Sequence, residues 1–292
     1  MYKEVFLKIF FEFIKIFQFR INHILSYKFF KKNNHKYNFF LGLYMVNPVF
    51  VGMVFESFII VIAIVMQILI MKKYVQKRHR LTLYLFIIFL NYLLAIIFSW
   101  LSKVLVLYSD IEYIYDDTAP DPGTTTSWIL LRITDFRISF VFLTIAIYLS
   151  YVLKVNLYDK GYNNVQRILV IVFAIFTAVF SLIVYENGNT LFDTFAFLFI
   201  FILMASVYFP FFIRTYGSYK STAEPQFQKA FLSLALMSLF FILILLNFLF
   251  DRLVILIIGG PGFTPFYFMA WTFAILGIFG AYFGYIRPKS SE

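Results

Sequence analysis

Cysteine is absent from this chain of 292 residues, and histidine occurs only three times. Without cysteine, the protein can form neither a disulfide bond nor a thiolate metal site. The three histidines, His23, His35 and His79, lie outside the long apolar runs of the sequence. This position excludes a histidine-box metal enzyme within a membrane. We therefore expect no metal centre and no other cofactor.

Catalytic motifs are also missing. The sequence contains no H-E-x-x-H, no G-x-S-x-G and no P-loop pattern, which are typical of zinc proteases, α/β-hydrolases and P-loop NTPases. The last apolar run has no lysine with which retinal could form a Schiff base. These absences exclude those classes, and we expect that the protein is not an enzyme.

Charged residues are scarce, at 14% of the chain, while 62% of the residues are hydrophobic and 23% are aromatic. Soluble domains are closer to half apolar and a quarter charged. The mean hydropathy of +0.85 therefore indicates an integral membrane protein. The formal net charge is +10. Because the basic residues lie between apolar runs, we expect them to contact anionic lipid headgroups of the bilayer and not nucleic acid.

Seven apolar runs follow one another along the chain. Each is close to the roughly 20 residues that a helix needs to span a bilayer, and none alternates as the strands of a barrel do. The sequence therefore predicts an all-α integral membrane protein, a bundle of seven transmembrane helices. The predicted spans are Val49–Met71, Leu81–Ser102, Trp128–Leu153, Ile168–Tyr185, Leu191–Ile213, Phe231–Phe250 and Pro265–Ile286.

The first 44 residues differ in composition from residues 45–292, which form the predicted seven-helix domain. Phe, Lys, Ile, Asn and Tyr occupy 30 of these 44 positions. One interpretation is a basic, aromatic helix that lies at the membrane interface. The other is an over-extended reading frame with the true start at Met45, because AT-rich codons encode these five residue types.

The distribution of Lys and Arg predicts the orientation. The odd-numbered connections and the C-terminal tail hold thirteen Lys or Arg, whereas the opposite side holds only Lys103 and Arg252. Basic connections face the cytoplasm. We therefore expect the first helix to begin outside the cell membrane and the C-terminus to be cytoplasmic. A start at Met45 would remove eight basic residues from the outer side.

A set of polar side chains falls inside the predicted spans. Ionised groups are costly in hydrocarbon and usually face the interior of a bundle, where they pair or bind a ligand. Except for Asn91, in the middle of the second span, the set lies in the outer half of the bundle. The candidate ligand-binding residues are Glu56, Asn91, Arg132, Asp135, Arg137, Asp193, Asn247 and Asp251.

Three interpretations of these residues are open: a structural network, a pocket for a ligand or an ion, and a proton pathway. On the third predicted helix, Arg132 and Asp135 share a face, and Arg137 is turned away from Arg132 by about 140°. The plain structural interpretation of Arg132 and Asp135 is an intrahelical pair. Gly280 and Gly284 in the last span have the G-x-x-x-G spacing, which favours close helix packing within the chain over dimerisation.

The predicted architecture has seven helices with short connections, and the first helix begins outside the cell. The last helix ends in a charged stop, Gly284–Pro288. In this architecture, residues 45–288 resemble the seven-helix sensor regions at the N-termini of some prokaryotic histidine kinases. In that family the last helix leads into a cytoplasmic signalling domain, whereas here only residues 288–292 follow Arg287. The resemblance implies signalling through a separate cytoplasmic partner, contacted by the basic segments Lys72–Arg80 and Arg214–Lys229.

We therefore expect a multi-pass membrane sensor or receptor-like protein, in which a small molecule, an ion or a proton biases the polar network. Two other classes are open. One is a carrier or ion-coupled permease for a small solute, and the other is a non-catalytic subunit of a membrane complex. Carriers have acids or broken helices near the membrane midplane. The shallow acids and mostly unbroken runs of this sequence favour the sensor.

Overall fold

The computed structural model describes residues 47–109, 125–158, 164–184, 189–258 and 262–286. Within these ranges the regular structure is helical, and no strand occurs. The helices are α1 (Pro48–Lys77), α2 (Arg80–Tyr108), α3 (Thr125–Thr134), α4 (Arg137–Tyr158), α5 (Asn164–Ile183), α6 (Thr190–Ser221), α7 (Pro225–Ile258) and α8 (Pro265–Ala281), and a π-helical turn, Tyr282–Ile286, follows α8.

Residue chemistry at the helix starts explains several of these boundaries. The side chain of Asn189 accepts hydrogen bonds from the backbone N–H groups of Leu191 and Phe192, and it thereby caps α6. Both α7 and α8 have proline as their first residue, Pro225 and Pro265. Proline is favoured there because the first N–H of a helix has no partner within the helix.

The predicted seven-helix bundle is confirmed at the level of helix number and type. Among the described residues, seven helices are long and apolar enough to cross a membrane, which is the pattern of a multi-pass membrane protein. The prediction of an uninterrupted third helix is wrong, because the helix ends at Thr134 and a new one, α4, begins at Arg137. The predicted N-terminal segment, residues 1–44, lies outside the described residues.

Six of the described helices form a closed ring. Around it, α1 packs on α2, α2 on α4, α4 on α6, α6 on α7, α7 on α8, and α8 returns to α1. The short helix α3 packs against α2 and α4. One face of α1 is buried in the bundle, and Gly52, Glu56, Ala63 and Gln67 lie on it.

Helix α5 lies outside this ring and packs against α4 and α6. Its buried positions form one narrow stripe of mostly small side chains, Val170, Ala174, Thr177 and Ser181. Beyond Arg167, the rest of its surface is apolar, as expected for a helix that faces lipid over most of its circumference. The interior of the bundle is thus built by the other spanning helices.

Helices α7 and α8 approach closely because glycines of α8 and of the π-helical turn lie at the contact. A Cβ atom at Gly280 would lie 3.0 Å from the backbone oxygen of Ser233 and 2.9 Å from Cβ of Met237. A Cβ atom at Gly284 would overlap the side chain of Leu234. The predicted use of the G-x-x-x-G spacing for packing within the chain is therefore confirmed.

The close approach predicts that Gly280→Ala destabilises the protein. The added methyl group meets atoms of the α7 backbone, which cannot rotate away, so we expect a loss of about 1 to 3 kcal/mol in the free energy of unfolding. Equilibrium unfolding in mixed micelles measures the change.

Gly217→Ala is the matched control. Gly217 lies within α6, and no atom lies within 4 Å of a Cβ built there. Alanine is the better helix former, so this variant should be neutral or more stable by up to about 1 kcal/mol. Equal stability of the two variants would contradict the close α7–α8 packing.

Candidate functional site

The third predicted span is broken where its charged residues lie. Asp135 and Phe136 form a turn between α3 and α4, and Phe136 adopts a left-handed conformation with φ of 63°. The turn is held by hydrogen bonds from the N–H of Asp135 to the carbonyl of Leu131 and from the N–H of Phe136 to that of Ile133. A bulky residue with positive φ is uncommon and costly. Such strain requires support from neighbouring groups.

The first ion pair of the site joins α1 and α2. Lys103 Nζ lies 2.8 Å from Glu56 Oε1, and both side chains are fully buried. The same carboxylate oxygen accepts hydrogen bonds from the Tyr267 hydroxyl at 2.6 Å and from Ser99 Oγ at 3.0 Å. Glu56 thus connects α1 with α2 and α8. Gly52 makes room for this arrangement, because a Cβ there would lie 3.1 Å from the Tyr267 hydroxyl oxygen.

A second group of charges connects α4, α6 and α7. The Asp193 carboxylate lies between two guanidinium groups, with Arg137 Nη2 at 3.4 Å and Arg252 Nη1 at 3.3 Å. Arg252 also lies 3.9 Å from Asp251. Asp251 Oδ1 accepts hydrogen bonds from the backbone N–H and the hydroxyl of Thr264, just before α8. Together, the first ion pair and this second group come from five of the six ring helices.

We call these six side chains the ionic layer: Glu56, Lys103, Arg137, Asp193, Asp251 and Arg252. Its three acids and three bases balance. The ring of Phe136 lies between its two groups, with its centroid 4.8 Å from Lys103 Nζ and 5.4 Å from Arg252 Cζ. Cation–π attraction at these distances holds the strained turn against the ionic layer.

The structure brings together four of the predicted site residues, Glu56, Arg137, Asp193 and Asp251. The predicted angle of about 140° between Arg132 and Arg137 holds only for one continuous helix. Because the helix breaks before α4, this angle does not apply, and Arg137 lies beside Asp193. Asp135 is buried in the turn itself.

The remaining three candidates lie apart from the ionic layer. Arg132 extends toward α5, where its Nε donates to the carbonyl of Leu182 at 2.7 Å, and its guanidinium stacks on Trp128. Asn91 and Asn247 donate to carbonyls of their own helices, those of Ile87 and Leu243. The geometry therefore gives no support to a ligand-binding role for these three residues.

Two residues of the ionic layer, Lys103 and Arg252, were not among the predicted site residues. The sequence analysis counted them only as the basic residues of the side opposite the basic connections, whereas both lie within helices, and Lys103 is completely buried. A signal was present, because the apolar residues Val104–Tyr108 continue α2 beyond Lys103. With both residues inside helices, the connections at this end, residues 109–124, 184–189 and 259–264, contain no Lys or Arg.

An internal cavity of about 110 Å³ lies beside the ionic layer. All six ring helices contribute to its wall, and most of the lining is apolar and aromatic. Phe136 is part of the lining, as are Ser99 and Tyr267, which bond to Glu56. The cavity and the ionic layer therefore share side chains.

A chain of hydroxyl groups leads from this cavity toward the opposite end of the bundle. Tyr92, which lines the cavity, shares a hydrogen bond of 2.8 Å with Tyr208. The Tyr208 hydroxyl donates to Ser150 Oγ, also at 2.8 Å. This chain links α2, α6 and α4. A small second cavity, lined in part by Ser150, Tyr208 and Tyr285, lies next to it.

Comparisons of the chain with protein families, with curated proteins and with solved structures find no match. The function is therefore inferred from the geometry of the ionic layer and the cavity.

The Glu56–Lys103 pair yields a prediction about stability. Lys103→Met leaves the Glu56 carboxylate buried without its cation, and breaking a buried pair in this way costs about 3 to 5 kcal/mol. The double variant Glu56→Gln/Lys103→Met removes both charges and should recover most of that loss. Equilibrium unfolding in mixed micelles of the wild type, Lys103→Met, Glu56→Gln and the double variant gives the four free energies of the cycle.

Lys220→Met is the control, because Lys220 is exposed near the end of α6. It should change the free energy of unfolding by less than about 0.5 kcal/mol. If Lys103→Met costs no more than this control, or if the double variant loses the sum of the single losses, the two side chains do not form a buried pair.

Proposed function

We propose that this multi-pass membrane protein is a sensor of the cell membrane, in which occupation of the internal cavity shifts the ionic layer. The single observation that carries the proposal is the position of Phe136. Its side chain lines the cavity and lies over both Lys103 and Arg252. A molecule in the cavity would therefore press on a strained turn that touches both groups of charges.

Two balanced groups of charges are suited to such a switch. Each acid of the ionic layer already has a basic partner, and Asp193 has two. A displacement of Arg252 would change its distances to both Asp193 and Asp251. A ligand shifts such an equilibrium by the difference between its affinities for the two arrangements.

The opposite end of the bundle is suited to the output of a signal. Lys73 Nζ donates to the carbonyls of Tyr285 and Ile286 at 2.6 and 3.0 Å, which links α1 to the π-helical turn. The basic segments Lys72–Arg80 and Arg214–Lys229 lie at this end, and we propose that it faces the cytoplasm and a separate signalling partner. The chain Tyr92–Tyr208–Ser150 lies between the cavity and this end.

A carrier is the second candidate, because the break at Phe136 is of the kind found in transporter helices that bind substrates. Two observations favour the sensor over it. The acids that a carrier would use for a cation are paired with Lys and Arg. The cavity wall is apolar, and molecules suited to such a wall cross a bilayer without a carrier.

The sensor proposal predicts that Phe136→Ala changes the basic end of the bundle. Because the natural chain has no cysteine, spin labels attach only at introduced positions, for which we choose Lys77→Cys and Ser221→Cys at the exposed ends of α1 and α6. Loss of the Phe136 ring should shift the distance between the labels by about 1 to 2 Å, the size of helix shifts in known switches. Double electron–electron resonance in nanodiscs measures it.

Phe58→Ala, with the same labels, is the matched control. Phe58 lies on α1 two residues after Glu56, but its side chain is about half exposed to lipid, at 51%. It should leave the distance distribution unchanged. An unchanged distribution in Phe136→Ala as well would contradict the coupling between the cavity and the basic end.

A further inference from the structure

The internal cavity has the size of one small ring. At about 110 Å³, it is somewhat smaller than an engineered apolar cavity of about 150 Å³ that binds benzene. Its wall includes Phe140, Phe197, Phe241 and Phe248, whose faces and edges pack well against another aromatic ring. Size and lining together therefore favour a single-ring ligand over an extended chain.

The charge balance of the surroundings restricts the ligand further. The ionic layer has three acids and three bases. Arg252, which lines the cavity, is already paired with Asp193 and Asp251. A charged ligand would therefore enter a low-dielectric site without a free counter-charge, at a cost of several kcal/mol. The cavity therefore suits a neutral molecule.

Two buried polar groups in the cavity wall have no hydrogen-bond partner among the described residues. They are the indole N–H of Trp271 on α8 and the hydroxyl of Ser139 on α4, in side chains that are only 5% and 6% exposed. Leaving a buried donor unpaired costs about 1 to 3 kcal/mol. A ligand with a hydrogen-bond acceptor would remove this cost at Trp271.

The helix break explains why Ser139 is unpaired. Elsewhere in the bundle, Ser150 and Ser238 donate to the carbonyl four residues earlier in a regular helix. For Ser139, that carbonyl belongs to Asp135, which lies in the turn before α4. The same turn that supports the ionic layer thus directs a second polar group into the cavity wall.

We infer that the cavity binds a neutral, single-ring aromatic molecule that carries one hydrogen-bond acceptor, held by the N–H of Trp271. This inference rests on the proposed function, because it names the class of ligand that the sensor would detect. An acyl chain of a bilayer lipid is the competing occupant, and it offers no acceptor to Trp271.

Pyridine and benzene are the probes that test the inference, because they have the same shape and only pyridine has an acceptor. Isothermal titration calorimetry on the full chain in nanodiscs, corrected with empty nanodiscs, should detect binding of both. Trp271→Phe removes the N–H and keeps an aromatic side chain. It should lower the ratio of pyridine to benzene affinity by about fivefold, the effect of one net hydrogen bond. An unchanged ratio would overturn the assignment of the acceptor to Trp271.

Ala274→Leu tests the location, because Ala274 lines the cavity and leucine would fill part of it. This variant should abolish the binding of benzene and pyridine. If Ala274→Leu does not fold, Ala95→Leu takes its place, because Ala95 lines the same cavity from α2. Ala178→Leu, on α5 and away from the cavity, should bind both probes normally. Binding that survives in a folded cavity variant would overturn the proposed site.

Charge is tested with N-methylpyridinium and benzoate, neither of which should bind measurably. Binding of either ion as tightly as pyridine would overturn the inference of a neutral ligand. Failure of pyridine and benzene to bind, with a lipid retained in native mass spectra, would overturn it in favour of an acyl chain. Binding of pyridine without any change in the distance between labels at residues 77 and 221 would contradict the sensor and leave the ligand class intact.

Discussion

The structure depends on the neutralisation of buried charge. Ionised side chains in an apolar bundle are tolerated only when opposite charges and hydrogen bonds surround them. Glu56 meets this requirement with Lys103, Tyr267 and Ser99, and Asp193 meets it with Arg137 and Arg252. Because these partners come from different helices, the same contacts that neutralise the charges also set how the helices lie against one another at this end of the bundle.

The helix break is a turn at Asp135 and Phe136, next to this network. The residue that follows the turn, Arg137, begins α4, and its Nη2 lies 3.4 Å from Asp193 Oδ1. The left-handed φ of Phe136 is the cost of this turn, and the contacts of its ring with Lys103 and Arg252 offset it. The turn also leaves the Ser139 hydroxyl unpaired in the cavity wall. Ion pairing, backbone strain and the chemistry of the cavity are thus connected at one place.

Much of the fold was predictable from the sequence, because long apolar runs have few alternatives to membrane-spanning helices. The interior positions of Glu56 and Asp193 were predictable as well, because ionised side chains are costly where they face lipid. The break at Phe136 was not predictable, since Asp135 and Phe136 are flanked by residues that a continuous helix accepts equally well. Lys103 was missed because a basic residue near the end of an apolar run resembles the end of a helix. Its partner on α1 becomes apparent only from tertiary contacts.

The central claim is that Lys103 and Glu56 meet inside the bundle, because the neutrality of the ionic layer and of the cavity depends on it. Solid-state NMR of the full chain in lipid, with ¹⁵N in lysine side chains and ¹³C in glutamate carboxyl groups, measures the contact most directly. The account predicts a strong dipolar coupling from one lysine nitrogen to one carboxyl carbon, consistent with the nitrogen–oxygen distance of 2.8 Å, and its loss in Lys103→Met. A spectrum without such a coupling, or one that Lys103→Met leaves unchanged, would contradict it.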